Sequence, residues 1–359
     1  MTTVSRIGTL SLAGVLSAVL VAACGARTGL PVPPGDAGPD ACVPADVPIN
    51  RPVPNLYFVL DRSTSMNDEN KWSTVRSVVS GVMAKLGPSA RFGAAVFPDP
   101  LSDPCSPGTE VMSLRLGDTQ GNVAAALLVA TAMDPNGGTP TAATFRSLTP
   151  HLAALPGTTF AILATDGGPN CNPGITCGVQ TCTANLDAVD PSCHPNAPPN
   201  CCDPNSNLGG SEDCLDDTAT AAAVKLLHDA GVSTFVIGIP GSAPYDKALD
   251  EIATAGGTAR PTAPFYYRVD TSDSSALEAA LAQIAAKITG ACTLLLDAPP
   301  PDPADVNVVI GGQIVPRDPV NGWSLSGSTV TLLGATCDRV KSGQGLDIQV
   351  TEGCPTVTQ

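Results

Sequence analysis

Two apolar runs that each end in an acid constrain this chain more than any other feature. Leu56-Tyr57-Phe58-Val59-Leu60 leads into Asp61-Arg62-Ser63-Thr64-Ser65, and Phe160-Ala161-Ile162-Leu163-Ala164 leads into Thr165-Asp166-Gly167. A short, unbroken, β-prone run is the pattern of a strand buried on both faces, and such strands belong to parallel sheets covered by helices. An acidic turn at the carboxyl end of such a strand falls where open α/β sheets form their ligand-binding loops. The first loop supplies one carboxylate and the hydroxyls of Ser63 and Ser65. Hard oxygen donors of this kind suit Mg2+, Mn2+ or Ca2+ rather than zinc or copper.

The chain alternates strand and helix patterns around these runs. Strands are expected over residues 55–61, 91–97, 110–116, 160–165, 233–239 and 265–269. Helices are expected over 71–86, where Val75, Val78, Val79, Val82 and Leu86 follow helical spacing, and over 123–133, 141–155, 217–230, 247–255 and 274–288. Six strands interleaved with helices predict an α/β fold with a doubly wound, mostly parallel sheet.

Gly137-Gly138-Thr139-Pro140-Thr141 is a glycine-rich turn that opens a helix and adds a third hydroxyl, that of Thr139. Taken in order, the DxSxS string, the GGT turn and the strand ending in Thr165-Asp166-Gly167 resemble the metal-ion-dependent adhesion site of the von Willebrand factor type A (VWA) family. The resemblance covers residues 55–291 and implies the Rossmann-like VWA fold. It further implies that Asp61, Ser63, Ser65, Thr139 and Asp166 hold a divalent cation, Mg2+ or else Ca2+ or Mn2+, some of them through water. An Asp or Glu presented by a partner protein would complete the coordination. The function that follows is metal-dependent protein binding. The alternative is an envelope scaffold or assembly protein in which the ion is mainly structural.

Enzyme chemistry finds less support. The three histidines are His151 and His228, on or near expected helices, and His194, in a cysteine-rich stretch away from any identifiable nucleophile. A GxSxG turn is missing. Asp61 and Asp166 are a pair of carboxylates, yet hydroxyl neighbours favour holding a cation over tuning an acid and a base.

The amino terminus reads as an export signal. Arg6 precedes an apolar stretch from about Leu10 to Ala23 that is too brief for a stable membrane span. Val21-Ala22-Ala23-Cys24 resembles the bacterial lipobox, which implies removal of residues 1–23 and lipidation of Cys24 as the mature amino terminus. The expected location is the bacterial cell envelope, with the lipid as the sole membrane contact; Gly25 carries no inner-membrane retention signal, which favours the outer membrane. Residues 24–54, rich in Pro, Gly and Ala, read as a tether. With 18 basic and 33 acidic residues the net charge is −15, which argues against nucleic acid and anionic membrane surfaces as partners.

Thirteen cysteines less Cys24 leave twelve, and in an exported chain disulfides are the expectation. Residues 168–216 form an aperiodic insertion directly after Asp166, holding Cys171, Cys177, Cys182, Cys193, Cys201, Cys202 and Cys214. Seven is odd, so one must pair outside, and Cys105 is the nearest candidate. Cys42 with Cys292 would tie the domain ends, and Cys337 with Cys354 would close a hairpin. A zinc site drawn from Cys177, Cys182, His194, Cys201 and Cys202 matches no established spacing. Asp203-Pro204-Asn205-Ser206-Asn207, with Glu212 and Asp213, hints at a calcium loop but lacks the EF-hand glycine and glutamate. The insertion is expected to form a disulfide-braced cap on the metal face, or else a decoration without a ligand. Residues 292–359 read as a small β-rich module with strands over 293–297, 306–310, 313–315, 328–333 and 346–350.

Overall fold

The computed structural model describes residues 42–50, 53–184, 192–194, 196–207, 209–271, 273–289, 292–341 and 347–359. The expected signal peptide, Cys24 and the tether up to residue 41 lie outside the described residues. Two short strands come first, β1 (Ala45–Val47) and β2 (Ile49–Asn50). The alternating series follows: β3 (Asn55–Asp61), α1 (Lys71–Leu86), β4 (Arg91–Phe97), β5 (Thr109–Leu116), α2 (Asn122–Ala130), α3 (Thr141–Ala153) and β6 (Thr159–Thr165). After the insertion come α4 (Asp217–Asp229), β7 (Ser233–Gly238), α5 (Asp246–Ala255), β8 (Tyr267–Arg268) and α6 (Ser274–Thr289). The chain ends with β9 (Thr293–Leu296), β10 (Val306–Ile310), β11 (Gln313–Val315), β12 (Trp323–Ser326), β13 (Thr329–Leu332), α7 (Gly334–Lys341) and β14 (Ile348–Glu352).

Strands β3 to β8 form one six-stranded sheet in the order β5-β4-β3-β6-β7-β8. It is parallel except for the antiparallel edge strand β5. This is the expected mostly parallel α/β sheet. Every residue of β3 is buried, which is why the strand reads as a continuous apolar run rather than an alternating one. Leu56, Phe58 and Leu60 enter one core with Val75 and Val79 of α1, Leu127 of α2 and Leu281 of α6. Tyr57 and Val59 point the other way, to Phe145 and Leu152 of α3, Leu227 of α4 and Leu249 of α5. The sheet is thus covered on both faces. Register pairs Asp61 with Phe97 on one side and Leu60 with Ala164 on the other. The carboxyl ends of β3 and β6 therefore open side by side, where the chain winds away from β3 in both directions.

The carboxyl-terminal module consists of two antiparallel four-stranded sheets, β1-β14-β10-β11 and β12-β13-β9-β2. Its core holds Leu294, Val308, Val330, the fully buried Trp323, and Cys337 and Val340 of α7. The Trp323 indole N–H donates to Val315 O at 2.8 Å. One correction concerns the tether. Residues 45–50 are not linker, because β1 pairs with β14 (Ala45↔Glu352) and β2 with β9 (Ile49↔Leu296). Pro44, Pro48 and Pro52 around these two short strands hide them in the sequence. Strand β12 and helix α7 also lie where the sequence reading placed no element.

The disulfides require a second correction. Cys292 bonds to Cys337, so neither Cys42–Cys292 nor Cys337–Cys354 forms. Cys292 precedes β9, whose neighbour β13 runs straight into α7, and Leu332 N–H donates to Cys292 O at 2.6 Å. Cys42 and Cys354 are each disulfide-bonded. In the insertion Cys105 bonds to Cys171, Cys177 to Cys182 and Cys193 to Cys201. Cys202 and Cys214 are buried free thiols instead of disulfide partners; they pack with Cys182 and Ala184 in a small core of their own. The two ends of the insertion are laced together, with Asp216 N–H on Pro169 O at 2.7 Å and Cys171 N–H on Glu212 O at 2.8 Å. Among the described residues no helix is long and apolar enough to cross a membrane.

Candidate metal centre

Asp61 is the last residue of β3 and is fully buried. Its Oδ1 accepts the Ser63 N–H at 2.8 Å, which turns the chain tightly out of the sheet, and its Oδ2 accepts the Thr165 hydroxyl at 2.5 Å. Ser63 Oγ and Ser65 Oγ share a hydrogen bond of 3.2 Å, and Ser65 Oγ donates to Asp166 Oδ1 at 2.9 Å. Hydrogen bonds therefore connect Asp61, Ser63, Ser65 and Asp166 in one chain. Burial, then the neighbouring Asp166 carboxylate, push the Asp61 pKa up to about 7, against the hydrogen bonds from Thr165 and Ser63.

Backbone bonds between loops bring up the fifth residue. Asn136 N–H donates to Arg62 O at 2.9 Å, and Thr64 N–H to Gly137 O at 3.0 Å. Asn170, at the base of the insertion, clamps Thr139 from the other side. Its Oδ1 accepts Thr139 N–H at 2.6 Å, and its own N–H donates to Thr139 O at 2.9 Å. The Cys105–Cys171 disulfide lies over the same turn; a Cβ added at Gly138 would meet Cys171 Sγ at 2.5 Å and Asn170 Oδ1 at 3.0 Å. Thr139 is buried, and among the described residues its Oγ1 has no hydrogen-bond partner. A buried hydroxyl so placed is open to a ligand atom. The oxygen-only set of two carboxylates and three hydroxyls fits a hard divalent cation.

Three residues at the centre carry no signal in the sequence reading. Arg62 counts only as a spacer in DxSxS, yet it is buried and donates to Asp134 O and, at 3.4 Å, to Pro98 O, joining three loops. Burial pushes its pKa down, and Asp99 and Asp61 oppose that. Lys71 reads only as the first residue of a helix, yet its Nζ lies 2.7 Å from Asp166 Oδ2. Asn170 lies in a stretch read as aperiodic insertion. The disulfides bear on the competing zinc reading. Cys177 and Cys182 are joined to each other and Cys201 to Cys193, which removes them as zinc thiolates. Asp203 Oδ1 accepts from Asn205 N–H at 2.9 Å in an exposed turn.

No protein-family model and no curated protein matches this chain. Solved structures do. The pilus adhesin SpaC from Lactobacillus rhamnosus GG is similar over 86% of this chain and 40% of its own length, with 18% identity and a TM-score of 0.47. The chain thus spans about two-fifths of that adhesin. A von Willebrand factor type A structure from Catenulispora acidiphila matches 86% of this chain and 59% of its own, with 16% identity and a TM-score of 0.43. The conserved hypothetical protein BatB from Bacteroides thetaiotaomicron matches 64% of this chain and 98% of its own, at 14% identity and a TM-score of 0.38. Likeness at these levels concerns the fold alone.

Proposed function

We propose that this chain is a VWA-type binding protein of the bacterial cell envelope, tethered through a lipidated Cys24. Asp61, Ser63, Ser65, Thr139 and Asp166 would hold one divalent cation, Mg2+ or a similar hard ion. The observation that carries the reading is the buried Thr139 hydroxyl, unpartnered among the described residues, on a turn that backbone bonds tie to the loop of the hydrogen-bonded series Asp61, Ser63, Ser65 and Asp166. When bound, the ion supplies an electrophilic point that takes a carboxylate from a partner protein. The chain's own part is to hold the oxygen donors in place. Arg62 fixes the first loop, Asn170 and the Cys105–Cys171 disulfide fix the Thr139 turn, and the sheet fixes Asp61 against Asp166. The insertion leaves the sheet at this same edge, and the proposal gives it the role of restricting which partner reaches the ion. No residue is assigned a catalytic role.

The test is affinity capture from envelope extracts with the soluble mature chain lacking the lipidated cysteine. Parallel samples contain Mg2+, Ca2+ or chelator, with Asp61→Ala as control. A protein retained with metal and lost with chelator and in the variant supports the reading. Retention of the same proteins in every sample overturns it.

A further inference from the structure

A cation of the chain's own already sits in this centre. Lys71 Nζ is 2.7 Å from Asp166 Oδ2, and the two side chains are only 10% and 1% exposed. The ammonium also reaches Ser65 O at 3.4 Å. The other carboxylate oxygen of Asp166 accepts from Ser65 Oγ, so the lysine occupies the second oxygen of one expected metal-ligating carboxylate. An ammonium and a divalent ion on one carboxylate repel each other, and each lowers the carboxylate's attraction for the other.

The surroundings give the lysine a direction in which to move. Lys71 lines a cavity of about 10 Å³ together with Glu69, Thr271, Asp273 and Leu277. Two acids thus border the space beside its side chain, one just ahead of it in sequence and one at the start of α6. Moving Nζ from Asp166 toward them keeps a counter-charge and frees Asp166 Oδ2. Without any cation, the buried Asp61 and Asp166 carboxylates would repel across a site with little water to screen them. Lys71 supplies the missing positive charge there.

We infer that Lys71 is an internal competitor for the metal centre, resting on Asp166 when the divalent ion is absent and displaced toward Glu69 and Asp273 when it binds. The inference rests on the metal-centre reading above. It makes occupancy depend on cation concentration, since the ion must displace a tethered rival, and it keeps the metal-free fold intact.

The experiment is Mn2+ titration by calorimetry and by thermal melting on the full chain, comparing wild type, Lys71→Met, Lys71→Gln and Asp61→Ala. Removing the rival should tighten Mn2+ binding in Lys71→Met and Lys71→Gln by about tenfold or more. In chelator both should melt below wild type, and in saturating Mn2+ the difference should close. Lys71→Gln keeps a hydrogen-bond donor for Asp166 and serves if Lys71→Met does not fold. Affinities unchanged within a factor of about two, or weakened, overturn the competitor role while leaving the metal centre standing. Failure of wild type and both lysine variants to bind Mn2+ overturns the metal-centre reading itself.

Discussion

At Thr139 a single hydroxyl separates the needs of the fold from those of the proposed ion. Its Oγ1 is buried and unpartnered, so in the metal-free protein it is a desolvated group without compensation. Thr139→Val keeps the shape and removes that group. The expected outcome is an unchanged or higher melting temperature in chelator, by up to about 1 kcal/mol of stability, together with loss of the Mg2+-induced rise. Thermal melts with and without Mg2+ check both halves. Gly138 is set by contact instead. A Cβ there would meet Cys171 Sγ at 2.5 Å, and that sulfur is fixed by its bond to Cys105. Gly138→Ala should therefore destabilise by about 1–3 kcal/mol in urea unfolding. At this scale the sequence was legible wherever residue type and order carry the chemistry. Asp61, Ser63, Ser65 and Asp166, which the structure joins by hydrogen bonds, all stand in short strings at strand ends. Lys71, Arg62 and Asn170 were not legible, because each acts on a residue distant in sequence. Lys71 meets Asp166 95 residues away, and Asn170 meets Thr139 31 residues away.

Among elements, the strands and helices between residues 55 and 289 were readable because period and punctuation agree. Strand β3 and helix α1 span Asn55–Asp61 and Lys71–Leu86, the ranges their apolar patterns give. Where period gives out, so does the reading. Strands β1 and β2 are three and two residues long, too short for any alternation to show, and they form only because β14 and β9 offer them edges. Disulfide pairing was legible only in part, since Cys292 finds Cys337 through the path of β13 into α7. The Cys105–Cys171 bond has consequences at the element scale because it ties the loop after β4 to the start of the insertion, 66 residues on. Replacing both cysteines by serine should cost about 2–5 kcal/mol and loosen Mg2+ binding, as the Thr139 turn loses its cover. Cys193–Cys201 spans 8 residues within the insertion. Its double-serine variant should leave Mg2+ affinity at the wild-type value, and calorimetry on the two variants makes the comparison.

For the whole molecule, the sandwich is assembled from chain on both sides of the α/β domain, with β1 and β2 before it and β9 to β14 after it. Yet among the described residues the two parts share no strand, and their cores are separate sets of side chains. The chain's two tryptophans divide between them. Trp72 is on α1, next to Lys71 of the proposed metal centre, with its indole N–H on Met133 O at 3.0 Å. Trp323 is fully buried in the sandwich. Trp323→Ala removes the largest side chain of that core and should cost it about 3–5 kcal/mol, enough to unfold a small module. It also leaves Trp72 as the sole indole reporter. The expected result is a variant whose remaining fluorescence transition, reporting the α/β domain, still shifts upward with Mg2+. If the Mg2+ response disappears with Trp323, the sandwich is part of what holds the metal loops in place, and the separation of the cores is not a separation of stability.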